Sequence, residues 1–120
     1  MTAHLLEWIP GPLINDFPDK STKLVNHANE SIVVIHWDGE FTAFRNECLH
    51  QEMPLHAGYL AGGMLLCPWH NWGYDVRNGA CATVRGASLK QFPVRADAER
   101  LWIGLPAAAV MAKTTDGNNG

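Results

Sequence analysis

Two short segments of this chain carry side chains that hold metals. They are Cys48-Leu49-His50 and, after a gap of sixteen residues, Cys67-Pro68-Trp69-His70. Each brings one thiolate and one imidazole, and in a tight loop both can point into one small volume. Pro68 fixes φ and stiffens the second loop. Two soft sulfur donors on one metal and two nitrogen donors on another describe an asymmetric [2Fe–2S] centre. Neutral imidazoles in place of two thiolates remove negative charge from one iron, which raises its reduction potential and lets protons couple to electrons. The same donors around a single ion would make a tetrahedral Cys₂His₂ zinc site. Zinc fingers usually place a cysteine pair and a histidine pair, often on a helix, so the mixed pairs favour iron–sulfur over zinc. Unliganded packing residues are the weakest reading, because four donors recur in two matched pairs. Trp69 and Trp72 can shield such a centre from water while a histidine edge stays exposed for electron exit.

The elements around these loops read as strands. Ser31–Trp37 is β-branched and apolar, Asp38-Gly39 is a hairpin signal, and Glu40–Phe44 alternates polar and apolar. Leu65-Leu66 leads into the second loop, Gly73–Val76 leaves it, and Asn78-Gly79 turns the chain. Leu89–Arg95 and Leu101–Leu105 form a last pair. No long helical period or repeat is present. Short strands with frequent Gly, Pro and Asn turns predict an antiparallel sandwich or small barrel.

The 120 residues suffice for one small domain. A 47% hydrophobic content makes it globular, and a net charge of −3 without a Lys/Arg cluster argues against nucleic acid as a partner. No apolar run reaches membrane-spanning length, and the start lacks a basic and apolar leader, which predicts a cytoplasmic protein without a membrane partner. Three cysteines are an odd number, so no disulfide framework is expected. Cys81 reads as a small buried residue, His56 as a surface or loop-packing residue, and Trp8, Trp37 and Trp102 as core. His4, His27 and His36 carry no spacing signal, and Glu47 and Glu52 read as solvated charge. With no carboxylate triad beside the four donors, no open metal position for a substrate is expected.

The motif residues resemble the Rieske family, whose signature is this Cys-x-His and Cys-x-x-His pairing. The resemblance extends from residue 5 to residue 105, through Asn46-Glu47-Cys48-Leu49-His50, Met64-Leu65-Leu66, Tyr74–Gly79 and Leu89–Val94. It implies an all-β Rieske fold in residues 1–105, with a cluster-binding subdomain of loops at about 46–76 inserted between strands; residues 106–120 would be a mobile tail. It implies one [2Fe–2S] cluster, with Cys48 and Cys67 on an iron that stays ferric and His50 and His70 on the iron that cycles. The chain is most similar to free-standing Rieske ferredoxins of bacterial oxygenases, monomers that carry single electrons from a flavoprotein reductase to a terminal oxygenase. Cys48–Glu52 is also similar to ferredoxins serving aromatic-ring monooxygenases. The rival within the family is a small Rieske subunit fixed in a larger reductase or oxygenase complex, such as a nitrite reductase small subunit.

Three departures are informative. Met53 and Trp69 stand where respiratory Rieske proteins carry an extra, disulfide-forming cysteine pair. Trp72 stands where they place a serine that donates to a bridging sulfide, and Asn71 where glycine usually follows the second histidine. Hydrogen bonds to sulfur raise the potential, so the midpoint is expected toward the low end of the roughly −150 to +300 mV Rieske range. Tyr74 matches a tyrosine that bonds a ligand cysteine in the respiratory type, which would offset part of that loss.

Overall fold

The computed structural model describes residues 6–49, 54–68 and 72–106. Their strands are β1 (Leu6–Leu13), β2 (Ser21–His27), β3 (Glu30–Trp37), β4 (Glu40–Arg45), β5 (Tyr59–Ala61), β6 (Met64–Leu66), β7 (Gly73–Asp75), β8 (Gln91–Phe92), β9 (Val94–Ala96) and β10 (Arg100–Pro106). They form three antiparallel sheets with orders β1-β10-β9, β2-β3-β4-β8 and β5-β6-β7. The third sheet is an insertion between β4 and β8, as expected from the sequence.

Strand β3 explains the layering. Its Ile32-Val33-Val34-Ile35 run is apolar at every position, and all four are at most 1% exposed. Successive strand residues point to opposite faces. Ile32 and Val34 pack with Ile9, Phe92, Leu101, Ile103 and Leu105 between the first two sheets. Val33 and Ile35 pack with Leu55, Leu65, Tyr74, Cys48 and Cys67 of the inserted subdomain. Neighbouring β4 divides likewise, Ala43 to one side and Phe44 to the other. Thr42 Oγ1 donates to the Val76 carbonyl at 2.6 Å, tying β4 to the exit of the insertion.

The structure departs from the sequence reading in three places. Leu89–Arg95 is two strands: β8 pairs with β4 and β9 with β10, on either side of Pro93. Proline has no N–H to continue a ladder, so the chain changes sheets there. β1 and β2, which the sequence reading did not name, are edge strands, where Pro10 and Pro12 or mixed polar residues are tolerated. Trp8 and Trp102 are half-buried rather than core. Leu101, Ile103 and Leu105 occupy the inward positions of β10, so Trp102 faces out and donates from Nε1 to Asp97 at 2.9 Å, while Arg95 lies 4.4 Å over the Trp8 ring. Trp37 is also half-buried and packs on the subdomain cluster. The tail from residue 107 lies outside the described residues.

Two predictions follow from this frame. A Cβ on Gly58 would overlap the Leu66 carbonyl oxygen, because the chain leaving the first ligand loop crosses directly over β6. Gly58→Ala should therefore lower stability by about 2 kcal/mol or more in urea unfolding. In the β9–β10 turn, Asp97 accepts the Arg100 amide, the Trp102 indole and the Glu99 amide, which together hold its carboxyl at about 2 rather than 3.8. A lowered folded value means stability present at neutral pH and lost on acidification, here between about pH 4 and pH 2. Melting temperatures across that window should fall less steeply for Asp97→Asn.

Candidate metal centre

The first ligand loop leaves β4 at Arg45, and the second is the β6–β7 connection. The loops are brought together because β6 and β7 pair as a hairpin, with Leu66 opposite Gly73 and Leu65 opposite Tyr74. The Cys67 N–H donates to the Trp72 carbonyl at 2.8 Å and closes the second loop at its neck. The first loop ends in a 3₁₀ turn, Leu55–Ala57, whose Leu55 is fully buried.

Cys48 and Cys67 are each 1% exposed, carry no disulfide and belong to one cluster of buried residues. Tyr74, fully buried on β7, joins that cluster to the first loop. Its hydroxyl oxygen lies 3.0 Å from the Leu49 N–H and 3.1 Å from Cys48 Sγ. The backbone N–H can only donate, so the oxygen accepts from Leu49 and its own proton is free for sulfur. With Cys48 as a thiolate, the bond must run from Tyr74 to sulfur. Burial first, then the bond to Cys48, push the phenol well above the ordinary tyrosine range, so the donor keeps its proton. Such a bond stabilises charge on sulfur.

The structure thus places four of the residues singled out in the sequence: Cys48, Cys67 and Tyr74 within one buried cluster, and Trp72 partly buried against it. Pro68 is exposed beside Cys67. His50, His70 and Trp69 lie outside the described residues, as do Met53 and Asn71. Cys81 is buried as expected, and its Sγ accepts the Val84 N–H at 3.3 Å. It thereby shapes a third loop that packs on β7 through Ala82 N–H to Gly73 O at 2.8 Å. That loop, the Thr42 tie and the buried Asn46 were not found from the sequence. Bonds between residues far apart in the chain leave no periodic signal.

Two buried cysteines, one under a tyrosine hydroxyl, in loops inserted into a β-sandwich have the chemistry to supply the sulfur half of an iron–sulfur site. The Rieske [2Fe–2S] domain model matches residues 7–93. The chain belongs to the Rieske [2Fe–2S] domain family and carries one [2Fe–2S] cluster. The methylxanthine N1-demethylase NdmA of Pseudomonas putida is 36% identical over 72 residues, which are 60% of this chain and 20% of that protein. The chain therefore spans about a fifth of that relative. The ferredoxin component of the alkene monooxygenase system of Xanthobacter autotrophicus is 25% identical over 100 residues, 82% of each chain. Among solved structures, the complex of reduced oxygenase and oxidized ferredoxin in carbazole 1,9a-dioxygenase aligns with a TM-score of 0.74 at 22% identity, covering 80% of this chain and 91% of that one.

Tyr74→Phe keeps the ring and removes both bonds. The reduction midpoint should fall, because sulfur loses a donor, and stability should drop by about 0.5–1.5 kcal/mol for the lost bond to the Leu49 N–H. Spectroelectrochemical titration and thermal unfolding check the two effects separately.

Proposed function

We propose that this chain is a ferredoxin of an oxygenase system, accepting single electrons from a flavoprotein reductase and passing them to a terminal oxygenase. The observation that carries this reading is the paired buried Cys48 and Cys67 in a chain that matches most of the length of an oxygenase ferredoxin. Cys48 and Cys67 hold one iron, and His50 and His70 hold the other. When bound, the cluster supplies one-electron chemistry at the histidine-held iron. The protein's own residues keep the sulfur side dry and donate to it from Tyr74. Leu49, next to Cys48, is 46% exposed, and Val84 of the third loop is 41% exposed. Apolar residues left in water beside buried ligands suit a brief contact with a partner protein. With Trp72 where a serine would donate, the potential falls toward the low end of the Rieske range, offset in part by Tyr74.

The 36% identity to part of a demethylase favours a second reading, a fixed domain or subunit of a larger oxygenase. A stably co-purifying partner supports that reading; a freely exchanging chain supports the carrier.

The purified chain should be red-brown, with two irons and two labile sulfides per chain, and give an anisotropic EPR signal on reduction. It should then reoxidise when mixed with its oxygenase. His70→Ala should change or abolish the signal; an unchanged signal removes His70 as a ligand. A colourless, zinc-containing protein overturns the reading.

A further inference from the structure

A second set of bonds closes the first ligand loop, and none of it belongs to the metal donors. Asn46 stands two residues before Cys48 and ten before His56. It is 7% exposed, and with Glu30 it is one of two buried polar or charged residues among those described. Its backbone N–H donates to the Ser31 carbonyl at 2.8 Å, which fixes it to β3. The His56 N–H donates to Oδ1 at 2.8 Å. A backbone N–H only donates, so that side-chain atom is the amide oxygen and the other is the nitrogen. Nδ2 then lies 2.8 Å from His56 Nδ1 and 3.2 Å from Ser31 Oγ. An amide nitrogen only donates, so Nδ1 accepts. One carboxamide therefore grips both the backbone and the ring of His56 while resting on β3. The nearby charges do not compete for it, because Arg45 pairs with Glu30 at 3.0 Å.

The loop closed in this way contains Cys48 and His50. We propose that Asn46 is a positioning residue for the cluster: through His56 it ties the two described ends of the first ligand loop to β3 and so keeps Cys48 in one place in both oxidation states. This inference rests on the ferredoxin reading. Tyr74 holds this loop at Cys48 and Leu49; without the Asn46 bonds its His56 end has freedom to shift when the charge on the cluster changes. The fully bonded amide removes that freedom, because breaking it leaves buried donors and an acceptor unpaired.

The test compares Asn46→Ala, Asn46→Asp and His56→Phe with the wild-type holoprotein. Aspartate retains the clasp: one oxygen accepts the His56 N–H and the other accepts from Nδ1–H in the alternative tautomer. Phenylalanine at position 56 keeps the backbone bond alone. Asn46→Ala should broaden the EPR signal, shift the midpoint and speed cluster loss to an iron chelator by about tenfold or more. Asn46→Asp should restore the line shape, and His56→Phe should fall between. If Asn46→Ala melts lower but keeps the wild-type signal, midpoint and release rate, Asn46 is merely structural and the proposal fails. If Asn46→Ala does not fold, His56→Phe decides, since its ring is at the surface; wild-type behaviour in all three readouts overturns the proposal. A wild-type chain with no iron–sulfur signal overturns the ferredoxin reading, and the positioning role with it.

Discussion

Strand β3 has no solvent face, and the whole molecule is arranged around that fact. A strand of a two-layer sandwich alternates apolar and polar residues, because one side meets water. β3 instead runs Ile32-Val33-Val34-Ile35, all buried, and needs a cover on each side. The sheet of β1, β10 and β9 covers one face, and the inserted subdomain covers the other. At about 1.5–3 kcal/mol for each buried aliphatic side chain, Val33 and Ile35 contribute enough to bind the subdomain firmly to the sandwich. The ligand loops are thereby built on a rigid sheet, although they are loops.

The polar ties follow the same logic. Apolar packing holds the subdomain against β3 but does not orient its loops. Directional bonds do that: Thr42 to Val76, Asn46 to His56 and Ser31, and Tyr74 to Leu49 and Cys48. All start from strands or their ends and finish in the ligand loops or the turns beside them. Each sits where an unmade hydrogen bond would be expensive, so the described ends of the loops are held in place. A carrier benefits from this. If the loops rearranged at every electron, that rearrangement would add to the barrier for transfer.

The chemistry of the chain was legible because four donor side chains in two short segments are a local pattern. The strands β3, β4 and β10 were legible for the same reason: β-branched runs and an Asp38-Gly39 turn are written in neighbouring residues. β1 and β2 were missed because edge strands tolerate the prolines and polar residues that otherwise end a strand. The break at Pro93 shows the limit from the other side: proline was visible, but the two sheets that it separates were not. Trp8 and Trp102 were misplaced because aromatic size suggests a core, whereas the alternation set by Leu101, Ile103 and Leu105 leaves Trp102 only the outer face. Tyr74 was found through resemblance, not through any spacing. Asn46 and His56 were recognisable as residues, but their ten-residue bond was not.

The site also shows how one side chain of a small domain can serve loop geometry and sulfur at once. Trp72 packs against the buried cluster. On the Cys48 side Tyr74 is a side-chain donor to sulfur, and its hydroxyl is also committed to Leu49. Polarised by that N–H, the hydroxyl is a better donor to sulfur than an isolated phenol, since linked hydrogen bonds strengthen one another in a dry interior. One residue thus sets loop geometry and sulfur charge together. The two properties are coupled in this chain: whatever moves Leu49 away from Tyr74 also weakens the bond to Cys48, so an ordered first loop is a condition for a fixed potential.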